Sequence, residues 1–226
     1  MTQDIEIPDI LPVMTLNSTV LFPHVIMPLF IFESRYKKML RDILEQDRIF
    51  AVAMLDDRSE QTHAAEMPYY TAGVGVIRAC KKNSDGNSNL VLQGIARVQF
   101  ESIISESPYR TASIKRINSR LGDTEDHIQK VRDHVIGLIQ TKCRLQECVP
   151  PEVVRYITGI QDPEELLDIS IHTLCTSAHF KQELLETNNL TVRFNKFTKF
   201  LEADIKQLKL NLKLRGNLDD KNVGDN

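Results

Sequence analysis

His172, Cys175 and His179 stand at i, i+3 and i+7, the spacing at which imidazole and thiolate donors could share a metal. The helical pattern breaks near Thr176-Ser177, between Cys175 and His179, so a structural role is the simpler reading and no metal is expected. His127 and His134 lie one heptad apart on a polar face and read as solvated side chains. The cysteines at 80, 143, 148 and 175 form no CxxC pair. Cys143 and Cys148 are too far apart on a helix to pair, so reduced thiols are expected. Asp56-Asp57 and Glu164-Glu165 supply paired carboxylates, but in a loop and at a helix start rather than a cleft. No glycine precedes Lys-[Ser/Thr] as in a phosphate-binding Walker A loop, and HExxH and GxSxG are missing. No catalytic residue and no cofactor follow from this inventory, and binding is the class that remains.

Two features could bind. The first is an apolar surface formed by Phe22, Pro23, Pro28, Phe30 and Phe32, with Glu33, Arg35 and Tyr36 at its corner to set orientation by charge and ring contacts. A small barrel cannot bury every one of these rings, and exposed apolar patches mark interaction sites. Phe22 and Pro23, at a turn, are expected to be the most exposed. The second is the last helix. Between Arg193 and Arg215 it carries basic residues at 193, 196, 199, 206, 209, 213 and 215 against acids at 202 and 204.

The elements that position these residues follow from periodicity. An apolar run over 11–16, a turn at Asn17-Ser18-Thr19, and a second run over 25–32 predict two strands. Pro23 and Pro28 place them at edges or bends, since proline cannot donate to a ladder. Tyr36, Met39, Leu40, Ile43 and Leu44 then share a helical face over 33–46. Strands are expected at 48–55, 70–81, 89–100 and 109–117, with a loop over 56–68 and a tight hairpin at Asn83–Asn87 carrying Asp85-Gly86. Gly73 and Gly75 suggest a bulge or a close backbone approach, and Gly94 a bend. About six strands and one early helix suit a small, partly closed barrel over 1–119. From residue 120 the pattern turns helical, with Asp162-Pro163 and Ser177 as start signals. A long last helix runs from Thr191 to about Leu214. Phe194, Leu201 and Leu208 form its seam, with Ile205 and Leu212 alternating, which suits packing on a neighbour or partner. The expected division is 1–119, 120–215 and a disordered tail at 216–226. The fold class is α+β.

The 226 residues carry a net charge of −3, with 42% hydrophobic and 26% charged residues. Such a charge is too mild to argue for nucleic acid as a partner. No apolar run approaches the roughly 20 residues of a membrane helix. The first residues lack the basic segment of a signal peptide, so a cytoplasmic location is expected.

LPVMTLNSTVLFPHVIMPLFIFESRYKKML resembles the opening of the Lon protease N-terminal, substrate-binding domain. AGVGVIRACKKNSDGNSNLVLQGIARVQF is similar to that family's Gly-containing strand, Asp-Gly hairpin and following strand. PPEVVRYITGIQDPEELLDISIHTL and KQELLETNNLTVRF resemble its helical part, so the likeness spans about 9–214. Ser34 replaces a proline found in stand-alone members. The resemblance implies a PUA-like β pseudo-barrel followed by an all-α helical bundle. It implies a non-enzymatic, protein-binding module acting on exposed apolar segments of unfolded or client polypeptides. An ATP-dependent protease and further copies of the chain are the other partners it suggests. With no Walker A loop and no peptidase-like segment, ATP hydrolysis and proteolysis are not carried over, and a stand-alone or truncated member is expected. RNA binding through the PUA-like barrel and the basic last helix is the alternative. The net charge argues against it, as does the lack of aromatics interleaved with basic residues on the strands. A small-molecule or degron role finds no convergent polar pocket.

Overall fold

A computed structural model describes residues 5–56, 67–146 and 149–219, with side chains as far as 214. The expected loop over 56–68 lies almost wholly outside the described residues, as does Cys148.

Six strands form one mixed sheet: β1 (Ile10–Leu16), β2 (Ile26–Ile31), β3 (Ile49–Met54), β4 (Thr71–Lys82), β5 (Ser88–Ser105) and β6 (Thr111–Ile117). Their order is β2-β5-β4-β3-β1-β6, and β6 also pairs with β5. That last pairing closes β5, β4, β3, β1 and β6 into a barrel and leaves β2 as a flap on the first half of β5. Among the six described strands only β1 and β3 pair in parallel, joined by a crossover containing β2 and helix α1 (Ser34–Leu44). β5 is long enough to serve β2 with its first half and β6 with its second. It runs five residues beyond the expected end at Phe100. Bulges at Phe100/Ser102 and Ile103/Ser105, with Ile103 only half-buried and Ile104 exposed, break the alternation and hide that extension from a hydrophobic pattern.

β3 shows how the barrel is filled. All six of its residues are buried. Ile49, Ala51 and Ala53 join one core with Val74, Val98 and Phe100. Phe50 and Val52 face the other way, into a core with Tyr36, Met39, Leu40 and Ile43 of α1. Alternate side chains serve two apolar layers, so the strand reads as a continuous apolar run.

Five more helices follow: α2 (Glu125–Leu145), α3 (Pro151–Gly159), α4 (Pro163–Leu174), α5 (Ala178–Glu186) and α6 (Leu190–Asp219). The start signals are local and work as sequence chemistry requires. Asp162 Oδ1 accepts from the Glu165 N–H at 2.8 Å, and Ser177 Oγ from the Phe180 N–H at 3.2 Å. Asn189, expected only to break a helix, caps α6 by accepting from the Val192 N–H at 3.0 Å.

The chain divides into two compact units: 1–119 with 168–188, and 120–167 with 189–226. The expected helical subdomain at 120–215 is therefore not contiguous, because Asp168–Asn188 groups with the strands. Within that first unit, the buried Arg97 guanidinium donates to the Leu185 and Thr187 carbonyls at 3.1 and 3.2 Å and to Ser119 Oγ. Gln182 Nε2 donates to the Thr71 carbonyl at 2.9 Å. In the second unit, Ile128, Val135 and Ile139 of α2 are buried, as are Phe194, Phe197, Leu201 and Ile205 of α6. Beyond Ile205 the expected seam opens: Leu208 is half-buried and Leu212 exposed. The helix also continues through Gly216 to Asp219, where a tail was expected from 216. One glycine costs about 1 kcal/mol, which does not stop a helix already propagating.

Candidate functional site

β2 is built by its parity. Met27 and Ile31 face the core, while Ile26, Pro28 and Phe30 face solvent. Phe32, one step past the strand, continues the exposed row. Ile26 is 54% exposed, Phe30 52% and Phe32 59%. The Phe30 and Phe32 rings lie 6.0 Å apart at 27°. The row extends across neighbouring strands. Pro28 is opposite Val91 of β5, which is opposite Ala79 of β4; Phe30 is opposite Asn89, which is opposite Lys81. These strands line an open groove of about 440 Å³, with Pro28, Phe30, Ala79, Asn89 and Val91 among its lining residues. Cys80 is an exposed free thiol, and partial burial pushes its pKa up, which keeps it protonated rather than activated.

The expectation for Phe22 and Pro23 is overturned. Phe22 is 0% exposed and Pro23 is buried. The connection from β1 to β2 lies against the sheet at two glycines. A Cβ on Gly73 would sit 2.0 Å from the Leu21 carbonyl oxygen, and one on Gly94 would sit 2.0 Å from that of Phe22. The contact is sealed by His24 N–H to the Gly94 carbonyl at 2.9 Å and Gly94 N–H to the Val25 carbonyl at 2.8 Å. His24 takes φ of 65°, a left-handed turn that sends the chain into β2. Gly73 and Gly94 thus act by admitting backbone.

The corner residues separate into two roles. Glu33 Oε2 accepts from Arg35 Nε at 2.9 Å on the surface. The Arg35 guanidinium lies over the Tyr36 ring, 4.7 Å from its centroid. Tyr36 itself is buried. Its hydroxyl donates to the Thr15 carbonyl at 2.9 Å and accepts from the Thr15 N–H at 3.1 Å. Burial, the largest influence on it, pushes the phenol pKa up, so the proton that makes this bond stays in place. Tyr36 ties α1 to β1, and its side chain is buried, where the sequence predicts it at the corner of a surface.

Of the expected binding residues, the structure brings Pro28, Phe30 and Phe32 together, with Glu33 half-buried and Arg35 exposed at the end of the row. It adds Ile26, which sequence reasoning missed. The strand period is the signal that could have found it: residues two apart in a strand share a face, so a surface that holds Pro28 and Phe30 also holds Ile26.

The basic last helix is less basic in space than in sequence. Arg193 is 0% exposed and donates to Glu164 Oε1 at 2.7 Å. Lys206, Lys209 and Lys213 remain exposed. Among the described residues no group of histidine, cysteine and acid side chains is arranged to hold a metal. No helix there is long and apolar enough to cross a membrane.

The model of the ATP-dependent protease La (LON) substrate-binding domain matches residues 10–203. The chain belongs to this family. The Lon protease of Desulfosudis oleivorans is 25% identical over 216 residues, covering 94% of this chain and 26% of that protein. The Lon protease of Flavobacterium johnsoniae is 27% identical over 206 residues, covering 91% and 25%. The chain therefore spans about a quarter of the length of the Lon proteases it matches. Solved structures share the fold, two of them as follows. The N-terminal domain of Mycobacterium avium complex Lon protease has a TM-score of 0.67 at 16% identity, covering 87% of this chain and 98% of that one. The Lon N-terminal domain protein from Xanthomonas campestris has a TM-score of 0.58 at 16% identity, covering 83% and 96%. The match to a Lon substrate-binding domain supports substrate recognition as the broad role, and the fold is that of Lon N-terminal domains.

Proposed function

We propose that this chain is a non-enzymatic recognition module that captures exposed apolar segments of unfolded or client polypeptides on the outer face of β2, β5 and β4. The observation that carries the reading is the solvent-facing row Ile26, Pro28, Phe30 and Phe32 beside an apolar groove. Membership of the Lon substrate-binding family supports the same class of ligand. About half of each ring is already covered by the protein, so each contributes on the order of 1 kcal/mol rather than the roughly 1.5–3 kcal/mol of full burial. Four such side chains total about 4 kcal/mol, a Kd of about 1 mM before the cost of ordering a flexible segment, so a single apolar contact is millimolar or weaker. Weak single contacts suit a module that works through several copies or beside an ATP-dependent protease, where linkage raises effective concentration. The cytoplasm is the compartment this partnership fits.

The test is an amide and methyl NMR titration with a reduced, carboxymethylated globular protein that stays unfolded in buffer. Signals of Ile26, Phe30, Phe32, Lys81 and Asn89 are expected to move. Unchanged spectra at millimolar ligand would refute the proposal.

A further inference from the structure

β2 is an edge. Among the described residues it pairs only with β5. The direction of its backbone groups follows from two observations. The Val25 carbonyl accepts from the Gly94 N–H, so at odd positions the backbone points to β5. Pro28, at an even position, has no N–H to lose from that ladder. Alternation then aims the N–H groups of Ile26 and Phe30, and the carbonyls of Ile26, Pro28 and Phe30, at the open side. Unsatisfied edge groups beside an apolar face form a template for another strand.

Resting on the proposed function, we infer that the ligand binds as an added β-strand, an extended apolar segment pairing through its backbone with the open edge of β2. Backbone pairing would let one surface accept many sequences, since main-chain groups are common to all of them. Lys81 and Lys82 lie on β4, with β5 and β2 between them and the open edge, so the occupant is set by the unpaired backbone of β2 and the apolar row Ile26, Pro28 and Phe30 beside it. The favoured segment is therefore apolar and β-prone. Pro28 supplies a carbonyl but no donor, so the ladder is interrupted at its centre. That interruption limits affinity and discourages indefinite sheet growth.

The experiment uses the full chain and an end-capped octapeptide of alternating valine and threonine, kept soluble by two terminal aspartates. At saturation, amide exchange at Ile26 and Phe30 is expected to slow roughly tenfold, while the Met27 and Ile31 amides, already aimed at β5, do not change. A peptide with every backbone nitrogen methylated keeps the side chains and is expected to lose binding. If the Ile26 and Phe30 signals shift but their exchange rates do not, or the methylated peptide binds equally, strand addition is wrong and the apolar surface stands. If the peptide and the unfolded protein both leave the spectrum unchanged, the functional reading itself fails. Concentration-dependent protection of Ile26 and Phe30 without peptide would assign the edge to a second copy and overturn the inference.

Discussion

Replacing Phe30 and Phe32 together by alanine separates the outer face from the core more sharply than any other change. Full burial of a phenylalanine is worth about 1.5–3 kcal/mol. The two rings are 52% and 59% exposed, so a ligand has roughly half of each left to cover, on the order of 1 kcal/mol per ring. Losing both then weakens binding by about 2 kcal/mol, roughly 30-fold in Kd. The rings are in contact at 6.0 Å, so the single variants need not add up to the double. Stability is expected to move little, because exposed side chains seldom contribute more than about 0.5 kcal/mol. Phe22→Ala is the counterpart. That ring is 0% exposed, and its removal is expected to cost about 3–5 kcal/mol of stability. Fluorescence polarisation with a labelled unfolded polypeptide, beside thermal melts, reads both quantities. Affinity within twofold of the parent for the double variant, with an unchanged melt, would refute the assignment of the outer face. Loss of binding in Phe22→Ala without loss of stability would refute the burial of the β1–β2 connection.

Tyr36→Phe removes the hydroxyl that satisfies both backbone groups of Thr15. It is expected to cost about 1–3 kcal/mol in a denaturant melt and to leave peptide affinity unchanged. Gly94→Ala drives a Cβ into the Phe22 carbonyl oxygen, and loss of more than about 4 kcal/mol, seen as a lower melting temperature or insoluble protein, is expected. His172 is held down to about 4, mainly by burial and secondarily by the Lys181 charge. The unfolded chain then takes up the proton first. Stability contributed by neutral His172 is full above about pH 6.5 and is lost as pH falls toward 4. Melts across that window are expected to flatten in His172→Asn relative to the parent. Asp204→Asn leaves the buried Lys142 ammonium without the carboxylate it is bonded to, at an expected cost of about 3 kcal/mol by chemical denaturation.

What the sequence made legible here is what is decided within a few residues. The caps at Asp162 and Ser177 form bonds spanning three positions. The Asp85-Gly86 turn needs only a glycine at φ of 81°, and α1 needs only its own 3.6-residue stripe. What stayed hidden is decided by partners far along the chain. In VIMPLFIF every residue is apolar or proline, so composition cannot say which set faces in; β5 and α1 choose by burying Met27 and Ile31. Phe22 is sealed because glycines 51 and 72 positions away leave room for its connection, a coincidence that no local window contains. Arg193 reads as one more surface cation until Glu164, 29 residues earlier, is placed beside it. The candidate site lies between these limits. Pro28 is a local clue with a non-local meaning. A proline inside an apolar run marks an edge, and an edge with one apolar face outward retains both the surface and the unpaired backbone that a client strand would use. In the proposed reading, the residue that makes β2 a poor centre for a sheet is also the one that would let another chain be held without being locked in.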